Sequence, residues 1–182
     1  MLRLVYALLL GLVGAGIVHI AVLFLLPYYT ERDAWSQLSA ASDFYAVTHI
    51  GGSAATTPLI RSVDPLFSAV ACRFDLTEGV LHVRAPGRAP FWSMSVYDRN
   101  GQNIFSFNDR TASDGSVNVV VLTPVQTIDV RKALPEAFVD AVFVEADIGQ
   151  GIVVIRAFVP DRTWRGAVAH FLDGVSCTPR QG

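Results

Sequence analysis

Phe91-Trp92-Ser93-Met94-Ser95-Val96-Tyr97-Asp98, then Arg99-Asn100-Gly101, then Asn103-Ile104-Phe105-Ser106-Phe107-Asn108-Asp109-Arg110, is the stretch that decides the fold. Large apolar and small polar residues alternate in the first run with a period of two, the pattern of a strand with one face buried. Asn100-Gly101 tolerates the positive φ angles of a tight reversal, so the two runs are predicted to fold back as an antiparallel hairpin. With Trp92, Met94 and Val96 turned to the core, Ser93, Ser95 and Tyr97 line the other face near Asn103, Asn108 or Arg110.

Outward from the hairpin the same texture continues. Strands are predicted near residues 45–49, 67–75, 80–84, 91–97, 104–108, 117–122, 141–146 and 152–159, each rich in Val, Ile, Phe or Tyr and bounded by Gly, Pro, Asn or Asp. Residues 51–58, rich in Gly, Ser, Ala and Thr, form a loose loop. A last amphipathic segment opens at Asp161, a candidate N-cap, and carries Trp164, Val168, Phe171 and Leu172 before Gly174. Many short strands with few helices predict a mainly β domain: an antiparallel β-sandwich or partly closed barrel with a flanking C-terminal helix.

The N-terminal end is different. From Leu4 to Leu26 there is no charged residue, and a run of this length at ~1.5 Å per residue reaches ~35 Å, enough for a ~30 Å hydrocarbon core. A signal peptide has a shorter apolar region and a nearby small-x-small cleavage site, whereas Pro27-Tyr28-Tyr29-Thr30-Glu31-Arg32 follows here, so an uncleaved transmembrane anchor is expected. Tyr6 at one end and Tyr28 and Tyr29 at the other suit the membrane interfaces. Arg3 and the terminal amine precede the helix, and Arg32 after it is flanked by Glu31 and Asp33. That bias places the N-terminus in the cytoplasm and the C-terminal domain outside, on a single-pass anchor, periplasmic if the cell has two membranes. Three units follow: an anchor over 1–27, a juxtamembrane helix over 28–43 starting at Thr30, and a β-rich extracytoplasmic domain over 44–182.

Within the anchor, Ala7, Gly11 and Ala15 recur every four residues and His19 continues the stripe, a surface that lets a second helix approach. An imidazole in hydrocarbon needs hydrogen-bond partners, which a neighbouring helix can supply; a tolerated neutral side chain and a proton relay are the alternatives for His19. Small residues are also common in such helices for no special reason. The two cysteines, Cys72 and Cys177, are an even pair in what is read as an oxidising compartment, so a disulfide is expected, with two separate buried thiols as the alternative.

Chemistry is hard to find. The 182 residues carry a net charge of −2, which disfavours a nucleic-acid partner. Lys132 is the single lysine among 14 basic residues. His19, His49, His82 and His170 have no metal-ligand spacing, no Gly-x-Ser-x-Gly occurs, and no phosphate-cradling loop is present. No catalytic residue, metal or cofactor is therefore assigned. Strand parity sets His82 in water beside Arg84. The one ligand-binding candidate is the hairpin face, with Trp92, Ser93, Tyr97, Asn103, Asn108 and Arg110; its polar side chains serve equally well to tie down turns.

Asp64-Pro65-Leu66-Phe67, Cys72-Arg73-Phe74-Asp75-Leu76, the run from Phe91 to Asp98, and Asn108-Asp109-Arg110 together resemble the bacterial family called domain of unknown function 1254, over roughly 34–177. The resemblance is to its short members with one membrane helix. It implies a β-rich envelope domain without established activity, acting beside a sister membrane subunit of the domain of unknown function 1214 type or as a homo-oligomer. The Cys72 match favours the disulfide, and Asp75 reads as a strand-end hydrogen-bond acceptor. The function expected is non-enzymatic assembly at the lipid bilayer, with a periplasmic small-molecule-binding domain or an enzyme of unfamiliar type as alternatives.

Overall fold

The computed structural model describes residues 2–51, 64, 66–112 and 115–180, with backbone alone for 27–33 and 51. The loop read at 51–58 and the Thr30 side chain thus lie largely outside the described residues. The chain opens with one helix, α1 (Leu2–Ala41). Its first part, Leu2–Leu26, has mean hydropathy 2.6 and none of it is buried, so it is long and apolar enough for a membrane anchor or a signal sequence. The separate helix expected to begin at Thr30 does not form as such: Pro27 is followed by continued helix.

Nine strands follow: β1 (Thr48–Gly51), β2 (Phe67–Asp75), β3 (Val80–Ala85), β4 (Trp92–Asp98), β5 (Asn103–Asn108), β6 (Val117–Leu122), β7 (Val142–Glu145), β8 (Gln150–Phe158) and β9 (Ser176–Arg180). They make a five-stranded antiparallel sheet, β1-β2-β8-β4-β5, and a four-stranded sheet, β7-β6-β3-β9, among the described residues; neither closes into a barrel. The predicted alternation sets the core. Val70, Cys72 and Phe74 of β2, Trp92, Met94 and Val96 of β4, and Val153, Ile155 and Ala157 of β8 meet Leu81, Val83 and Ala85 of β3 and Val117, Val119 and Val121 of β6 in one buried cluster. Every one of these strands puts at least one valine into it, and β6 puts in three, side chains that pack well on a pleated surface.

The hairpin is as predicted, with Ser93 opposite Asn108 and Ser95 opposite Ser106. Its turn is looser than a two-residue reversal. Gly101 alone has positive φ, at 86°, and Asp98 Oδ1 accepts from the backbone N–H groups of Asn100 and Gln102 at 2.9 and 2.8 Å. The side chain thus takes the donors that the turn leaves free.

Three elements depart from expectation. β1 starts at Thr48 because Tyr45 is held at φ 64° in the turn that follows α1. β9, not expected, pairs with the edge of β3 and carries Cys177. A helix, α2 (Pro124–Lys132), and a 3-10 turn, Glu136–Phe138, connect β6 to β7, which is why those two strands run parallel. Thr123 caps α2: its Oγ1 accepts from Gln126 N, the Gln126 Oε1 accepts from Thr123 N, and Pro124 occupies the first turn. At the C-terminal end Asp161 caps the turn Arg162–Trp164, which leads into α3 (Arg165–Asp173). Val168, Phe171 and Leu172 of α3 are buried as expected, whereas Trp164 is exposed.

Candidate functional site

The outer face of the five-stranded sheet is where α1 returns to the domain. Ala69 and Ala71 of β2 and Ile152 and Val154 of β8 form a low apolar platform, and Trp35 and Leu38 of α1 pack on it together with Ile50 and Tyr97. Small alanines let the helix come close. Arg73, next on the same face of β2, lies under the end of α1 and is 7% exposed. Its guanidinium sits 4.5 Å from the Phe44 ring centroid and 5.4 Å from that of Trp35, and Nη2 donates to the Ser42 carbonyl at 2.6 Å. Arg99, from the hairpin turn, stacks on Trp35 as well, at 5.4 Å.

Just beyond, Tyr45 closes the connection. Its hydroxyl donates to the Asp75 carbonyl at 2.6 Å and accepts from Asp75 N at 3.3 Å. Burial is the main cause that pushes its phenol up to about 12. The Asp75 carboxylate accepts from Thr77 N and Oγ1 at 2.9 and 2.6 Å and from Gln150 Nε2 at 2.7 Å, and these bonds outweigh a raising effect of burial to leave it below the usual range. It ties down the end of β2, as read from the sequence.

The six residues proposed for ligand binding do not form one surface. Ser93, Asn103 and Asn108 share the outer face of the hairpin with Ser95 and Ser106. Trp92 does not: it is fully buried between the sheets, against Phe107 and Phe171, and its indole donates to the Gly115 carbonyl at 3.0 Å. The same parity that sets Ser93 outside puts Trp92 inside. Tyr97 is taken up by the α1 contact. Of the polar groups that remain, Asn103 Nδ2 donates to Ser106 Oγ at 2.8 Å, Ser106 Oγ to Ser95 Oγ at 2.9 Å, and Asn108 Oδ1 accepts from Arg110 N at 3.1 Å. Its hydrogen-bonding groups largely serve one another.

His82 also departs from its expected place. It points to the outer side of the four-stranded sheet, yet it is 1% exposed because the α2 connection covers that side. Val80, Val120 and Leu122 pack there with Val130 and Phe138. Its ring stands edge-on to Phe138 at 5.0 Å and shares a 2.9 Å hydrogen bond with Asn118 Oδ1. Burial, more than the raising effect of Asn118, holds its pKa below the ordinary histidine value, and Arg84 and Arg180 add to the lowering.

Cys72 of β2 and Cys177 of β9 form a disulfide across the two sheets. Beside it Val47, Val70, Val153 and Val175 pack closely, leaving no room for a water molecule. No group of three metal-ligating side chains occurs among the described residues. Ala7, Gly11, Ala15 and His19 lie along the exposed helix, where a β-carbon added at Gly11 meets nothing within 4 Å.

Two sheets sharing a core, bound by one inter-sheet disulfide and preceded by a long apolar helix, define a β domain of the kind attached to or sent across a membrane. The chain belongs to the family described as protein of unknown function (DUF1254), matched over residues 52–179. A crystal structure of a protein from Vibrio parahaemolyticus is similar at 13% identity and TM-score 0.54, over 64% of this chain and 28% of that one. An uncharacterized protein from Burkholderia cenocepacia is similar at 16% identity and TM-score 0.50, over 81% of this chain and 38% of that one. These likenesses concern the fold, and the chain spans well under half of either structure's length. Comparison with curated proteins finds no match.

Proposed function

We propose that the protein is a non-enzymatic assembly module of the bacterial cell envelope, held in the inner membrane by an uncleaved α1 with its N-terminus in the cytoplasm and its β domain outside. The observation that carries this reading is that α1 passes without a break from an exposed apolar stretch into a segment packed on the domain. A leader destined for removal has no need to build part of the folded protein's surface. The disulfide supports the oxidising side of the membrane. The hairpin face, with its hydrogen-bonding groups bonded to each other, supports contact with a partner better than capture of a small molecule, which calls for a concave apolar site with free polar groups. The partner is a sister membrane subunit or a second copy, met through the stripe of Ala7, Gly11, Ala15 and His19.

Two measurements test it. The natural cysteines are bonded and leave no free thiol, so Leu2→Cys and, separately, Val125→Cys report topology with a membrane-impermeant thiol reagent on cells whose outer membrane is permeabilised. Label at position 125 and none at position 2 is expected; the reverse pattern removes the envelope reading. A complex that survives mild detergent and weakens with Gly11→Leu is expected as well. Because the added side chain meets nothing in the chain itself, an unchanged complex counts directly against the helix contact.

A further inference from the structure

The end of α1 bears no basic residue in its last turn, although a helix C-terminus carries partial negative charge and bare carbonyls. Arg73 supplies both needs from another element. It is buried, it donates to the Ser42 carbonyl just past the last turn, and it lies against Phe44 and Trp35, one ring on each side of that carbonyl in sequence. Among the described residues no carboxylate pairs with it, and its Nε is buried without a partner. An uncompensated buried guanidinium is costly, and the helix end with two aromatic faces is what offsets that cost. A ligand anion is a poor alternative occupant, since the site already faces the negative end of a helix. The backbone is joined at the same place, with Tyr45 N donating to the Arg73 carbonyl at 2.7 Å.

The geometry points to Arg73 as a clamp that fixes the helix to the five-stranded sheet, so that tilting or rotation of the apolar helix is passed to the outer face of the domain. The clamp follows from the contacts alone; the transmission rests on the reading that α1 spans a membrane. A partner that turns α1 through its apolar stretch thereby moves the sheet face beside Arg99 and Tyr97, because the Arg73 side chain and carbonyl hold the connection at Ser42 and Tyr45.

The test uses the full chain in phosphatidylcholine–phosphatidylglycerol nanodiscs and, in parallel, in detergent. Amide hydrogen exchange over 34–45 is expected to be slow in the native protein and at least tenfold faster in Arg73→Gln, with β2, β4 and β8 keeping their native exchange. Arg73→Lys, which keeps the charge and loses the planar stack, is expected to fall between. Trp35→Ala removes the shared ring from the helix side and leaves β2 intact, so it gives the same readout if Arg73→Gln does not fold. Spin labels at Val22→Cys and Val125→Cys are expected to give a narrow distance distribution that at least doubles in width with Arg73→Gln. Native exchange over 34–45 in both Arg73→Gln and Trp35→Ala overturns the clamp. Failure of the chain to enter nanodiscs, with exchange in detergent still dependent on Arg73, overturns the transmission and the membrane reading together while the clamp stands.

Discussion

Breaking the Cys72–Cys177 bond should cost this domain several kcal/mol of stability. The bond joins residues 105 apart in sequence. In the chain-entropy model a loop of that size restricts the unfolded ensemble by about 4–5 kcal/mol at 25 °C. The native state has its own stake, because the bond is the covalent link between the two sheets and β9 otherwise hangs on β3 alone. For a domain of this size each kcal/mol moves the melting temperature by about 2–4 °C, so reduction is expected to lower it by about 8–20 °C. The assay is thermal unfolding of the full chain in detergent, followed by tryptophan fluorescence, with oxidised and reduced protein compared at equal concentration. Both sulfurs are nearly buried, at 1% and 7% exposure for the two residues, so reduction is carried out in mild denaturant before refolding. Comparing redox states also keeps both side chains, whereas Cys72→Ala/Cys177→Ala adds a cavity to the loss. Melting temperatures within about 2 °C of each other would refute the reasoning, since neither the unfolded chain nor β9 would then depend on the bond.

Other consequences follow from single residues. His82 has a lowered folded pKa, so the unfolded chain takes up the proton first as pH falls below about 6.5. Stability is therefore full above that value and declines through pH 6.5 toward the folded pKa; melting at pH 7.5 and 5.5 should differ less in His82→Gln than in the native protein, and an equal difference would assign the acid loss elsewhere. Gly151→Ala should be destabilised by about 2–3 kcal/mol or fail to fold, because a β-carbon there meets the Tyr97 carbonyl oxygen and lies 2.5 Å from Phe74 Cζ; a native denaturation midpoint would contradict this. Tyr45→Phe should cost about 1–2 kcal/mol for two lost hydrogen bonds. In spectrophotometric titration the same substitution should remove the phenolate that appears near pH 12 in the native protein, and a spectrum unchanged at that pH would place the high-titrating phenol at another tyrosine.

The strands were legible because most of them have one face in a common core, and a period of two is a direct statement of that arrangement. β2 and β6 match the sequence reading residue for residue. What escaped is what breaks the relation between hydrophobicity and burial. In α2, Val125 and Ile128 face solvent at 70% and 59% exposure while Thr127 is buried and bonds to Glu145, so the apolar pattern gives no helical face. Only the local chemistry of Thr123-Pro124-Val125-Gln126 marks the start. Missing α2 leaves the outer side of β3 bare, and from that comes the misplaced His82. β9 contains Pro179 and four exposed positions, Ser176, Thr178, Pro179 and Arg180, which is how an edge strand that resists further pairing is written, and it carries little strand signal.

The site near Arg73 shows a different limit. Its position is readable: a charged residue in a nine-residue apolar strand, on the face shared with Ala69 and Ala71, announces something special on that side of the sheet. Its partners are not readable, since Trp35 comes from a helix whose last turns carry no pattern pointing back to β2, and Ser42 and Phe44 come from the connection after it. Trp35 and Phe44 stand nine residues apart and meet Arg73 only because α1 ends between them. The outer faces of the domain are therefore unequal. One is covered by α2 and the Phe138 turn; the other is divided between the docked end of α1 and a self-bonded hairpin. If the apolar helix responds to a membrane partner, the response reaches the domain on this second face, where Trp35 lies between Arg73 and Arg99. Cationic and aromatic contacts are concentrated at the joint, while the disulfide and valine-rich core hold the other side of the same sheet.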